Sequence, residues 1–256
     1  MPLSAFALFA AQIVIPFGGH APAHDQLKEC LDQAQNDPTA AIARASEWLA
    51  KAQGPERAEA QQCLGQANVA LLRWQAAQDA FLAARNAAQP NAYPARARLG
   101  AMAGNAALAG NDPTAALGEL DKALADATLA DDKPLAGSIG ADKARALVAL
   151  GRNDEAAKTL EQARLDAPQD PAVWLLSATL SRRTGNLTAA RGEIVTAASL
   201  DASDPAIGLE AGVIAELAGD ETAARNSWQA VVTAAPDSPE AKSAAAYLAQ
   251  TGGAGG

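Results

Sequence analysis

Aromatic side chains make up only 4% of the 256 residues, and histidine occurs twice, as His20 and His24. Two Cys, two Tyr and two Met complete a short inventory of reactive or soft side chains. So few aromatic residues, set in an alanine-rich background, exclude a β-rich fold, because β-branched and aromatic side chains favour strands. With both histidines near the N-terminus, His-based acid–base or nucleophilic chemistry would have to run from one end of the chain. Positive charge is also short: 20 Lys and Arg stand against 29 Asp and Glu, for a net charge of −9. An acidic chain lacks the basic footprint that phosphate backbones require, so nucleic acid is not an expected partner. No Cys-x-x-Cys, Gly-x-Ser-x-Gly or Gly-x-x-x-x-Gly-Lys spacing occurs, and no cofactor, metal site or catalytic residue is expected.

What fills the chain instead is alanine, at 69 positions, or about 27%. Alanine is the best helix former because it loses no side-chain entropy. An apolar fraction of 49% suffices for a core, so wholesale disorder is excluded. The composition predicts an all-α protein whose helices touch through small side chains.

The N-terminus reads as an export signal. Leu3 to Phe17 is almost wholly apolar, and the first acidic or basic side chain is Asp25. Pro16 and Gly18-Gly19 end any helix there. Ala21-Pro22-Ala23 has the small-x-small form of a signal-peptidase site. Residues 1–23 are therefore an expected signal peptide, with cleavage near Ala23 and a periplasmic or exported mature chain. The run is too short for a comfortable membrane span. The alternative is a cytoplasmic protein in which these residues form an extra helix.

Beyond residue 24 the chain repeats. Gly151, Gly185 and Gly219 are 34 apart, as are Ala156, Ala190 and Ala224, and Pro171, Pro205 and Pro239. Leu160, Ile194 and Trp228 keep the same period. Several series sharing one period mark a repeat architecture. Within a unit, Ser138 to Leu150 reads as one amphipathic helix and Gly151 as its left-handed C-terminal glycine. Asn153-Asp154-Glu155 is expected to cap and open the second helix. Asp170-Pro171 and Asp204-Pro205 restart the next units, with Pro in the first turn.

This pattern resembles the tetratricopeptide repeat family, whose units are helix–turn–helix pairs. Unit 58–91 carries Leu64-Gly65, Ala77, Phe81 and Ala84. Unit 137–170 carries Leu147, Gly151, Ala156, Leu160, Ala163 and Pro168. Unit 171–204 carries Trp174, Gly185, Ala190, Ile194 and Ala197, and unit 205–238 carries Gly212, Gly219, Ala224, Trp228 and Pro236. Units 25–53 and 92–127 depart from the pattern; the second is aligned on Leu99-Gly100, Ala116, Leu120 and Ala123. Thr128 to Lys133 reads as the longest break between units. A capping helix over 239–249 and a flexible tail over 251–256 complete the chain. The resemblance implies a right-handed α-solenoid of about six units over residues 24–250.

The resemblance also implies a non-catalytic scaffold that binds a partner protein or extended peptide in its concave groove. By the family's spacing the groove positions are Gln62, Gln66 and Val69, then Ala97 and Ala101, then Arg145 and Val148. Leu175, Thr179, Arg182 and Arg183 follow, then Leu209, Val213 and Glu216. The Lys, Asn and Arg clamp of the family's chaperone-tail receptors is missing. Arg145, Arg182 and Arg183 are candidate carboxylate contacts or simply solvated charges. Trp174 and Trp228 are expected in the core, and Trp48 and Trp74 partly exposed. By analogy with the family, an assembly factor for envelope or cytochrome maturation is a narrower alternative.

Cys30-Leu-Asp-Gln-Ala34 echoes Cys63-Leu-Gly-Gln-Ala67. An exported pair favours a disulfide. Against it, equivalent positions on stacked helices lie about 8–10 Å apart, while a disulfide needs Cα atoms within about 7 Å.

Overall fold

The computed structural model describes residues 23–252, with side chains over 26–250. The expected signal segment therefore lies outside the described residues, apart from its last position. Thirteen helices and no strand occur among the described residues. They are α1 (Ala23–Asn36), α2 (Pro38–Lys51), α3 (Pro55–Ala70), α4 (Trp74–Ala87), α5 (Tyr93–Ala109) and α6 (Pro113–Leu129). Next come α7 (Lys133–Ala149), α8 (Asn153–Asp166), α9 (Pro171–Arg183), α10 (Leu187–Leu200), α11 (Pro205–Leu217), α12 (Glu221–Ala234) and α13 (Pro239–Gly252). None is long and apolar enough to cross a membrane.

Local chemistry sets the helix starts. The side chains of Asp37, Asp112, Asp132, Asp170, Asn186, Asp204 and Asp220 each accept a hydrogen bond from a first-turn backbone N–H. This satisfies a donor that the helix itself leaves unpaired. The expected cap at Asn153 does not form, because that residue is already helical and Arg152 holds the N-cap position. Arg152 reaches forward instead, donating to both carboxylate oxygens of Glu155 at 2.7 and 2.6 Å.

The turns within helix pairs share one geometry. The N–H groups of Arg73, Asp112, Arg152, Asn186 and Asp220 each bond back to a carbonyl five residues earlier. That closure puts the preceding residue in the left-handed region: Leu72, Asn111, Gly151, Gly185 and Gly219, with φ between 57° and 84°. Between pairs, the expected break over Thr128 to Lys133 shrinks. Helix α6 runs through Leu129, Asp132 caps α7, and Asp131 makes the turn with φ of 52°. Helix α13 likewise continues to Gly252, past the expected end of the cap.

From α3 onward each helix pair closes on a small residue facing a large one sixteen positions later. A Cβ added to Gly65 would lie closer than 3.0 Å to the Phe81 ring. The same holds for Gly104 against Leu120 and for Gly212 against the Trp228 indole. Ala144 with Leu160 and Ala178 with Ile194 keep the offset and share buried clusters. A small side chain here lets the helix backbones approach; a larger one would overpack.

Neighbouring units are stitched by charge as well as by apolar contact. Arg85 donates to Asp126 at 2.6 Å with side chains only 12% and 8% exposed, and Arg96 approaches the same carboxylate at 3.5 Å. This network joins α4, α5 and α6. Arg164 pairs with Glu193 and lies over the Trp174 ring, whose Nε1 donates to Pro168 O at 2.9 Å. Trp228 is buried as expected, and so is Trp48, which was expected near a surface. Trp48 sits a full turn inside α2, packed with Ala52 and Ala60.

At the N-terminal end a disulfide joins Cys30 of α1 to Cys63 of α3, with Cα atoms 5.9 Å apart. The helices come this close because the flanking contacts are small: Ala34, Ala60 and Ala67 are fully buried.

Candidate functional site: the concave face

Apart from α3 and α5, odd-numbered helices pack on their odd-numbered successors: α1 with α3, α5 with α7, α7 with α9, α9 with α11, and α11 with α13. No comparable contact links one even-numbered helix to the next. The odd helices therefore line the tighter, concave side.

On this face the expected residues separate into three groups. Arg145 and Val148 of α7 meet Thr179 and Arg183 of α9 around one cleft of about 510 Å³. Leu160, Leu176 and Leu180 give it an apolar floor. Leu175, Leu209 and Val213 are half-buried and pack on the clusters beneath. Their role is partly structural. Gln62, Gln66 and Val69 are half-buried on α3, away from this cleft.

The charges divide too. Arg182 is committed to Glu210, donating twice at 2.6 and 3.2 Å and tying α9 to α11. Arg145 holds only Asp142, one turn away on its own helix, at 3.2 Å. Arg183 is exposed and makes no ion pair among the described residues. Glu216 of α11 also makes none, and its Oε2 is buried without a hydrogen-bond partner. Asp142 accepts from Asn105 Nδ2 at 2.7 Å, linking α7 to α5. Burial pushes the Asp142 carboxyl up from its ordinary range, and the Asn105 hydrogen bond and Arg145 charge offset this only in part.

One register was misread from sequence. Aligning on Leu99-Gly100 placed Ala97 in the groove, but Ala97 is fully buried. The small residue facing Leu120 is Gly104. In that register Ala101 and Asn105 face the groove side, and Asn105 was missed. The sixteen-residue offset from Gly104 to Leu120 was the signal that would have found it. Among the described residues no group of His, Cys, Asp and Glu side chains is placed to hold a metal ion.

Residues 141–205 match the family model of the tetratricopeptide repeat. No curated protein matches in sequence. The type IV pilus biogenesis factor PilW is similar in structure, with a TM-score of 0.68, 20% identity, and coverage of 86% of this chain and 97% of that one. Pseudomonas aeruginosa PilF gives 0.66 at 15% identity, covering 88% and 97%. YrrB, described as a tetratricopeptide-repeat protein with an unusual peptide-binding site, gives 0.50 at 17%, covering 72% and 90%. The chain is thus a tetratricopeptide-repeat α-solenoid: the sequence match covers α7 to α10, and the fold carries the same arrangement across the helices on either side.

Proposed function

We propose that this protein is a non-catalytic scaffold that holds an extended segment of a partner protein along its concave face, and that it works in the bacterial cell envelope. The observation that carries the binding reading is the α7/α9 cleft, where Arg145, Val148, Thr179 and Arg183 converge over an apolar floor. Extended segments suit such a surface, because side-chain pockets supply specificity while the groove supplies length. The peptide-binding description of YrrB supports the ligand class. The pilus-biogenesis description of PilW supports the envelope, as do the signal-like residues 1–23 and the Cys30–Cys63 pair.

Two measurements test the reading. The first is a pull-down with tagged protein and the Arg145→Glu/Leu217→Asp variant; Leu217 stands 34 residues after the cleft residue Arg183, at the equivalent position of α11. Both side chains are exposed, so the fold should survive, as circular dichroism would verify. Loss of the captured partner is expected; unchanged capture would remove the concave face from consideration. The second is intact mass from a Gram-negative host, with and without thiol alkylation. A chain starting at His24 with no alkylated thiol is expected. A chain starting at Met1 with two reactive thiols would place the protein in the cytoplasm.

A further inference from the structure

We infer that the segment held by this groove carries an acidic residue and a basic residue three to five positions apart, with an apolar side chain between them. The inference rests on the concave-face reading and adds the chemistry of the ligand. The acidic residue belongs over α7 and α9. There Arg183 has no ion-pair partner and Arg145 has only a neighbour on its own helix, although the chain as a whole is acidic. Two guanidiniums beside an apolar floor fit a carboxylate that stands next to a buried side chain. The basic residue belongs over α11. Arg145, Thr179 and Val213 recur at 34-residue spacing, as do Val148, Arg182 and Glu216. Glu216 therefore stands, one unit beyond the α7/α9 cleft, in a row whose first member, Val148, lines that cleft. Its Oε2 lacks a donor while being out of water, a state that a ligand N–H or ammonium group would relieve.

The spacing follows from geometry. Successive concave helices stand about 10 Å apart, and an extended chain advances about 3.3 Å per residue. One helix step is therefore about three residues. From the α7/α9 cleft to α11 is one to one and a half steps, or about three to five residues.

Selection of a random peptide display library on the full chain tests this. Enriched peptides should pair Asp or Glu with Lys or Arg at that spacing around an apolar residue. A selected peptide is then made with an amidated C-terminus and a fluorescent label for anisotropy. Arg145→Glu/Arg183→Glu should weaken it at least about tenfold, the scale of a charged hydrogen bond. A peptide with its charges reversed should bind Arg145→Glu/Arg183→Glu/Glu216→Lys in preference to the original chain. Peptides that show no charge order but are lost on Leu217→Asp would overturn the inference and leave the concave face standing. So would peptides that bind only through a free C-terminal carboxylate. A library that yields no binder would overturn both.

Discussion

The two ends of this solenoid solve the same problem with different chemistry. Among the described residues the first and last units have a neighbouring unit on one side only, so their outer helices fray unless something holds them. At the C-terminal end an aromatic does it: Trp228 fills the space over Gly212 and stacks on Tyr247 of α13, ring centroids 5.0 Å apart. At the N-terminal end Ala45 stands in α2 where later units carry Phe81, Leu120, Leu160, Ile194 or Trp228. The Cys30–Cys63 disulfide packs against it. A covalent link has taken over where the large side chain is missing. The turns differ in parallel. The later units turn on Gly151, Gly185 and Gly219, whereas the earlier ones force Leu72 and Asn111 into the left-handed region. The N-terminal half is thus the strained half, and it is the half with the cross-link.

The largest expected effect breaks the N-terminal solution. A 33-residue separation between the cysteines implies about 3–4 kcal/mol of loop-closure stabilisation. Cys30→Ser/Cys63→Ser should lose about that much from α1 to α3 while leaving α9 to α13 protected. Native-state hydrogen exchange would read both; uniform loss along the chain would contradict the local account. Next, Gly212→Ala should cost about 1–3 kcal/mol by overpacking against Trp228. Adding Trp228→Ile, which recreates the Ala178–Ile194 combination, should restore part of it. A double-mutant cycle in urea measures the coupling.

Smaller effects sharpen the contrast between turns. Gly219→Ala should destabilise by about 1 kcal/mol and Leu72→Gly should stabilise by about the same, since a side chain in the left-handed region costs about 1–2 kcal/mol. Equal signs in thermal melts would refute the turn argument. The smallest concerns Asp142. Its raised native value means that the folded state holds the proton more tightly than the unfolded chain. Its burial cost is therefore absent below about pH 4, the unfolded value, and grows as pH rises through the native one. Asp142→Asn should be at least as stable at pH 7, with a shallower decline in stability above pH 4. A variant clearly less stable at pH 7 would assign Asp142 a net favourable pairing.

The same contrast explains what could be read beforehand. From α7 onward the 34-residue period survives, so Gly151 and Trp228 keep their register, and Arg145, Thr179 and Arg183 line one cleft. Helices α5 to α7 each run 17 residues against 13 or 14 later. The extra turn destroys the period between Gly65, Gly104 and Ala144. It leaves the sixteen-residue offset intact, because that offset is fixed by contact within one pair. Reading for the period alone misplaced Ala97 and overlooked Asn105. Nor could pattern show that Arg182 is occupied by Glu210 while Arg183 is not. The two are adjacent in sequence and differ only in which side of α9 they leave.

The position of the disulfide also has a mechanical meaning. It joins two units rather than closing one, so residues 31–62 lie on a closed side loop. A pull applied at both ends of the chain would pass from Cys30 to Cys63 through the sulfur bridge and never load α2. In force extension the oxidised protein should come out shorter than the reduced one by about 110 Å, the contour of some 33 residues at about 3.4 Å each. A scaffold pulled from both ends would then keep α2 off the load path while the helices beyond Cys63 are stripped.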